Sequence, residues 1–350
     1  YGQIVLQCNW EENARGLPEY AIREAKADAI EFKFGQSAKG TQPAVRIRTL
    51  EEALKQQENG AIVYPDPSDP KIQEAYGKKA CPNFFSYSRL PMWTEEYLKE
   101  RIEELRAMGL KNVYFKMAGF DRADMERVLR IAVSCHVDMV TFDGAGGGSG
   151  YSPCKMMNEW CLPTVVMESI LYGILNKLAA EGMELPHVAI TGGFATEDQV
   201  YKALALGAPY VKAVCMSRSF MIPAFLGCNI EGALHPERRE RVHGAWSALP
   251  KTVLDIGDTP ETIFAGYHAL KERLGADEMA HIPYGAIAMW TMCDRLGAGL
   301  QHHMAGARKF SVEHIDRTDI CAANRETAQE TGIPFITEQD DELARRIVLG

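Results

Sequence analysis

The sequence lacks any apolar run near the roughly 20 residues that a membrane-spanning helix needs. Ala286–Cys293 is apolar but far too short. It also lacks an excess of positive charge. The formal net charge of 350 residues is -9, so phosphate-backbone electrostatics give no reason to expect a nucleic-acid partner. Cysteine pairs at metal-ligand spacing are missing too. The nine cysteines, Cys8, Cys81, Cys135, Cys154, Cys161, Cys215, Cys228, Cys293 and Cys321, lie singly and no CxxC occurs. Such a dispersed, odd set predicts reduced thiols and a cytoplasmic protein. There is no internal repeat, no low-complexity tract and no signal-peptide pattern. The sequence opens Tyr1-Gly2-Gln3 without a Met.

What is present is ordinary for a soluble globular protein: 46% apolar and 24% charged residues. A chain of this length can form one large barrel with an extension, or two domains. Short β-type runs alternate with helical patterns over its first two thirds. The runs are Ile4–Gln7, Ala29–Phe34, Asn112–Met117, Met139–Phe142, Val188–Thr191 and Tyr210–Val214. Helical spacing marks Thr94–Met108, Ala123–Ser134, Val165–Glu181 and Thr196–Leu206 between them. Alternation of this kind predicts βαβ units and a parallel sheet. Gly35–Arg46 reads as the longest irregular stretch, and Tyr64–Tyr87 as a stretch broken by prolines. After about residue 229 strand-like runs stop. Pro260–Leu274 and Ala286–Ala305 read as helices and Phe335–Ile336 as a lone short strand.

Four segments sit where strands end, and ligands of parallel α/β folds bind at carboxyl ends of strands. The first, Asp143-Gly-Ala-Gly-Gly-Gly-Ser-Gly150, includes Gly144, Gly147 and Gly148. Main chain without Cβ atoms can approach a ligand closely, although a surface turn has the same composition. The second, Ile190-Thr-Gly-Gly-Phe-Ala-Thr196, runs a strand into Gly192-Gly193 and then a helix. Thr196 and Gln199 fit a capping box there, and a helix start favours an anion. The third is the polar strand end Val214-Cys-Met-Ser217-Arg218. In the fourth, Lys33 interrupts the apolar run of Ala29–Phe34, as Lys116 interrupts Asn112–Met117. One such lysine is more often a snorkelling side chain; two on separate strands favour a shared role. His302 and His303 have no Glu-x-x-His spacing and read as a packed or solvated pair. His136 reads as a helix cap, and Met289, Met292 and Met304 as core filler.

Several of these segments, in order, resemble the FMN-binding synthase domain of the glutamate synthase family. AIEFKFGQSAKG (Ala29–Gly40) is similar to that family's E-I-K-x-x-Q-G-A-K-P-G strand. DGAGGGSGYSP (Asp143–Pro153), with the following Leu162-Pro163, is similar to its S-G-H-D-G-G-T-G-A-S-P loop. ITGGFAT (Ile190–Thr196) resembles its D-G-G-L-R-T flavin-phosphate turn, and Leu206-Gly-Ala208 and Leu226-Gly-Cys228 match its last strand and following helix. The resemblance runs with gaps from Tyr1 to about Cys228. It implies an α/β fold, a (β/α)8 TIM barrel of which about six strands lie in 1–228, with the first strands missing. Roughly 100 or more residues would then precede Tyr1, at about 30 per βα unit. A mainly helical extension would occupy 229–350.

The resemblance further implies an FMN-dependent oxidoreductase acting on an amino acid or 2-oxo acid type of substrate by hydride transfer through flavin N5, in the CH-NH2 donor class. Lys33 and Lys116 match lysines near the flavin ring, Gln36 a polar residue beside it, and Lys39 a lysine near substrate carboxylates. Lys33, Lys39 and Lys116 are the catalytic candidates. Asp143, Gly144, Gly147 and Gly148 fall in the flavin-side loop, and Gly192, Gly193, Ser217 and Arg218 at the flavin phosphate. The sequence departs from the family where its His-Asp pair is Ala145-Gly146, and where only Cys228 remains of a cysteine trio for a 3Fe–4S cluster. No Fe–S cluster and no other metal is therefore expected. Expected partners are a small-molecule substrate, an electron-donor protein or subunit, and further copies in a homo-oligomer, with no nucleic acid and no membrane. A non-catalytic flavoprotein subunit or scaffold, and a flavin-free barrel binding a phosphorylated metabolite, are the alternative readings.

Overall fold

In the computed structural model, described residues are 3–34, 45–81, 83–87, 93–147, 159–241, 246–339 and 347–348. The chain divides into two compact units. The first comprises Tyr1–Gly193, Leu206–Val214 and Ile320–Gly350; the second comprises Phe194–Ala205 and Cys215–Asp319.

The first unit is built on six strands: β1 (Val5–Cys8), β2 (Ala29–Lys33), β6 (Asn112–Ala118), β7 (Met139–Asp143), β8 (His187–Thr191) and β9 (Val211–Cys215). They lie in the spatial order β1-β2-β6-β7-β8-β9. The ladders from β1 to β8 are all parallel. Sequential parallel strands joined through helices are the strand array of a (β/α)8 barrel. All six strands read from the sequence are found, within a residue or two at each end. The connecting helices are α1 (Trp10–Ala14) and α2 (Leu17–Arg23) after β1, α5 (Glu95–Ala107) before β6, α6 (Arg122–Ser134) after it, and α7 (Thr164–Ala180) after β7.

Side-chain spacing explains how these layers meet. Ile30 and Phe32 of β2, Val113 and Phe115 of β6, and Val140 and Phe142 of β7 are buried. They alternate with residues of the other face, as a strand requires. The buried stripes Leu98, Ile102 and Leu105 of α5, and Met125, Leu129 and Ala132 of α6, recur every three to four residues. Each helix starts at a capped residue. Thr94 accepts from Tyr97 N and Asp121 from Asp124 N, which satisfies donors the first turn leaves open. His136 adopts φ 52° just after α6, the left-handed cap position read for it. Its N–H donates to Val133 O and its carbonyl accepts from Arg106.

The stretch between β2 and α5 corrects the sequence reading. Tyr64–Tyr87 is not an irregular segment, and the end of Gly35–Arg46 enters a strand. Here β3 (Val45–Ile47), α3 (Leu50–Glu58), β4 (Ile62–Tyr64), α4 (Pro70–Gly77) and β5 (Phe84–Tyr87) form a separate antiparallel sheet, in the order β3-β5-β4. Its core is small: Ile47, Ala53, Val63 and Phe84, flanked by Leu50, Ile72 and Tyr76. Pro67 and Pro70, which seemed to break the segment, are a turn residue and a helix-start residue. Pro70 stands in the first turn of α4 behind the Asp69 cap, where its missing N–H has no consequence.

The second unit contains α8 (Glu197–Leu206, its last residue in the first unit), α9 (Arg218–Leu234), α10 (Lys251–Leu254), α11 (Pro260–Ile263), α12 (Tyr267–Leu274), α13 (Ala276–Met279) and α14 (Tyr284–Gly306). The single helix expected over Pro260–Leu274 is two, because Phe264 leaves helical geometry and buries its ring. Helices α9 and α14 cross at glycines: a Cβ on Gly227 would stand 2.7 Å from the Tyr284 carbonyl carbon. Glu231 is buried there and accepts from Tyr284 N at 3.1 Å, capping α14 from α9. Met304 is buried as read, but Met289 is exposed rather than core filler. His303 packs its ring 5.9 Å from that of Tyr201. The lone strand expected at Phe335–Ile336 is one parallel bridge, Ala322 to Phe335, beside α15 (Arg325–Thr331) in the first unit. Among the described residues no helix is long and apolar enough to cross a membrane.

Candidate functional site

The inner face of the parallel sheet carries the polar residues that the strand sequences interleave with core residues. Lys33 and Lys116 are direct register partners across β2 and β6, and Thr141 is the partner of Lys116 on β7. Partners in a parallel ladder share a face, so the two lysines and Thr141 form one row. One layer below, Gln7 and Glu31 are partners, as are Glu31 and Tyr114. The Glu31 carboxylate accepts from Gln7 Nε2 and, at 3.0 Å, from Thr141 Oγ1. The second bond reaches from β2 over β6 to β7, which requires this face to be concave. The layer therefore holds a braced carboxylate directly beneath two cations.

At the carboxyl ends, the loops after β6, β7 and β8 are stitched through main chain. Gly119 N donates to Asp143 O, Leu162 N to Gly119 O, Ala145 N to Leu162 O, and Gly144 N to Thr191 O. The Thr164 hydroxyl donates to Gly192 O at 2.6 Å. Backbone approaches backbone so closely that side chains have no room. A Cβ on Gly144 would stand 2.8 Å from Thr164 Cα, one on Gly146 2.6 Å from Gly192 O, and one on Gly192 2.8 Å from Gly144 O. Gly192 and Gly193 also adopt φ 119° and 98°, which L side chains rarely adopt. Glycine in these loops is thus demanded by loop-to-loop packing, whatever ligand they serve. At Gly193 the nearest atom to a Cβ would be 3.5 Å away, so there the backbone angle alone requires glycine. Asp143 is buried and its carboxylate lies against Gly147. Cys161 thiol donates to Asp143 O, and burial, with Asp143 nearby, pushes that thiol up to about 11.

The start of α8 is only half the capping box read from the sequence. Gln199 Oε1 accepts from Ala195 N at 2.8 Å and Thr196 N at 3.2 Å, but the Thr196 hydroxyl turns to Asp198. Those two amides are consequently engaged by a side chain. Ser217 and Arg218 stand at the N-cap and first residue of α9, in the second unit.

Lys33, Lys116, Asp143, Gly144, Gly147, Gly192 and Gly193 thus lie at carboxyl ends of neighbouring strands in the first unit. Gln36, Lys39 and Gly148 lie outside the described residues. Sequence reading missed Glu31, Thr141 and Thr164. Period-2 alternation through Glu31 and Lys33 would have found the first, since both leave the apolar face of β2 together. Thr164 carries no such signal, because its role depends on two loops far apart in sequence. Among the described residues no group of three or more His, Cys, Asp or Glu side chains is placed to hold a metal ion.

This part of the molecule is also where the chain matches known proteins. Residues 87–237 match the model of the conserved region in glutamate synthase, and over this region the chain resembles that family. It is 26% identical over 214 residues to the glutamate synthase large subunit-like protein YerD of Bacillus subtilis (strain 168). The match covers 59% of this chain and 35% of that protein, so the chain spans about a third of its relative. Among solved structures, a mutant flavocytochrome b2 with pyruvate bound is 10% identical with a TM-score of 0.42, over 89% of this chain and 51% of that one. A soluble mutant of (S)-mandelate dehydrogenase from Pseudomonas putida is 14% identical with a TM-score of 0.40, over 95% and 64%.

Proposed function

We propose that the protein is an FMN-dependent oxidoreductase of glutamate synthase type, acting on an amino acid or 2-oxo acid. The observation that carries this reading is the row of Lys33 and Lys116 on the inner face beside the glycine-lined ends of β7 and β8. This donor set fits a flavin. Two cations side by side match the anionic edge that a reduced flavin ring develops, and the Gly193 turn, where a Cβ would meet nothing closer than 3.5 Å, suits a phosphate approaching main chain. Bound FMN would supply hydride exchange with the substrate through its N5. The chain's own residues orient and polarise. The lysines hold positive charge at the ring edge, and Glu31 beneath them limits where those ammonium groups rest. Gly192 and Gly193 offer backbone to the phosphate. On the family resemblance alone, Ser217 and Arg218 would serve the phosphate, Gln36 the ring and Lys39 the substrate carboxylates. The proposed setting is the cytoplasm, with electrons delivered by a partner protein or subunit.

The test begins with the pigment. Purified protein should carry stoichiometric FMN, bleach with dithionite, and be reduced or reoxidised by a subset of amino or oxo acids. A colourless protein with no affinity for FMN would defeat the reading. Bound FMN inert toward all such substrates would leave a scaffold flavoprotein instead. Lys116→Met should keep FMN bound and lower its midpoint potential; an unchanged potential in both Lys116→Met and Lys33→Met would remove the lysines from the mechanism.

A further inference from the structure

The small antiparallel sheet has its apolar character on both faces. One face buries Ile47, Val63, Phe84 and Ser86 under α3 and α4, with Val45 at its exposed edge. The opposite face should be polar if it met only water. Instead it presents Ile62, Tyr64 and Phe85, exposed by 62%, 67% and 41%. Register places Arg46 opposite Phe85 on one side and Tyr64 opposite Phe85 on the other. Arg46, Phe85 and Tyr64 therefore form a row straight across the three strands, with Phe85 on the central one. Asn83 Oδ1 accepts from Arg46 Nε at 2.7 Å, which holds the guanidinium at the sheet.

We propose that this face is an isologous dimer interface whose occupant is the same face of a second copy. The row is self-complementary in only one arrangement. A two-fold axis parallel to the strands, running beside Phe85, stacks Phe85 on its counterpart. It also sets each Arg46 over the Tyr64 ring of the other copy, a cation–π pair repeated twice. Rotation about the perpendicular in-plane axis would bring Arg46 against Arg46, which like charge disfavours. Face-to-face sheets pack about 10 Å apart, a spacing that aromatic and arginine side chains span. The proposal is independent of the flavin reading, because none of these residues belongs to the inner face of the parallel sheet.

Sedimentation of the full chain over a dilution series tests it. The wild-type protein should be a dimer. Phe85→Glu, at an exposed position, should be monomeric with an unchanged far-UV circular dichroism spectrum. Arg46→Glu should weaken dimerisation about tenfold or more. Adding Tyr64→Lys to Arg46→Glu reverses the pair across the axis and should restore most of that loss. A monomeric wild type, a dimer that survives Phe85→Glu, or a double variant no tighter than Arg46→Glu alone would each overturn the proposal.

Discussion

The two sheets of the first unit solve the same problem at different scales. The parallel sheet is packed by helices on its apolar face and keeps a polar, braced inner face with Glu31, Lys33, Lys116 and Thr141. The antiparallel sheet has one face packed by helices and a core of four buried hydrophobic residues. The inner strands β2, β6 and β7 of the first are held by neighbours on both edges over four or five register pairs; β3 and β4 have three pairs each and one neighbour. Rigidity in the large sheet is shared, whereas in the small one it is local. The proposed chemistry thus sits where alternation is backed by long ladders, and the proposed docking surface where it is not.

The sharpest way to break this comparison is a matched pair of cavities. Phe115→Ala in β6 and Phe84→Ala in β5 both empty a fully buried site and each should cost about 3–5 kcal/mol. Phe115→Ala should lower the denaturant midpoint of the whole unit. Phe84→Ala should open the small sheet first, seen as amide exchange lost over 45–87 while β6 to β8 stay protected. Equal loss of protection in both sheets would show that the two are one cooperative body.

A second pair contrasts glycines. Gly192→Ala adds a Cβ 2.8 Å from Gly144 O at φ 119°, and should cost roughly 2–5 kcal/mol from strain and overpacking together. Gly77→Ala, at the end of α4 with nothing within 4 Å, should instead stabilise by about 0.5–1 kcal/mol. Thermal melts of the two variants suffice to see opposite signs. Cysteine labelling gives a smaller contrast. Burial pushes Cys8 up to about 12 and Cys135 to about 11, so both should resist iodoacetamide at neutral pH. The half-buried Cys81 of the small sheet region should label sooner, as peptide mass mapping will tell; Cys8 labelling first would contradict the shared rigidity of the large sheet.

The smallest effects come from two carboxylates. Lys177 and Arg130 hold Glu126 of α6 below the usual carboxylate range, while the neutral donors Gln57 and Ser68 do the same for Asp66. A depressed folded value means stability present above the unfolded pKa, near 4, and lost as pH falls through the lower folded value. Glu126→Gln and Asp66→Asn should thus each destabilise slightly at pH 7 and make no difference in strong acid. High salt should shrink the Glu126 effect alone, because only its partners are charged. A salt-insensitive Glu126→Gln difference would show its ion pairs to be idle.

Sequence reading recovered the six strands of the large sheet because each combines an apolar run with flanking helical periodicity. It missed the antiparallel sheet because β3 and β4 have three residues apiece, too short for alternation to declare itself, and because prolines at turn positions read as breaks. At the site, Lys33 and Lys116 were visible as charges inside apolar strands, whereas their adjacency needed the register. The Gly loops were visible as composition, yet the reason for glycine at Gly144, Gly146 and Gly192 is contact between separate loops, which no local pattern encodes. The Thr196–Gln199 pair was legible only in part, since Asp198 competes for the threonine hydroxyl.

The bond from Thr141 to Glu31 has a consequence for how the chain comes into being. Its two ends are 110 residues apart in sequence, with the whole small sheet between them. At a synthesis rate of about 5–20 residues per second, Glu31 emerges roughly 6–20 s before its threonine exists. Throughout that interval the carboxylate must stay hydrated, and the apolar side of β2 must wait for β6. The small sheet, complete by residue 87, can meanwhile form on its own local contacts. The segment that looks like an interruption of the barrel is thus able to fold before the polar layer of the large sheet, which must wait for Thr141.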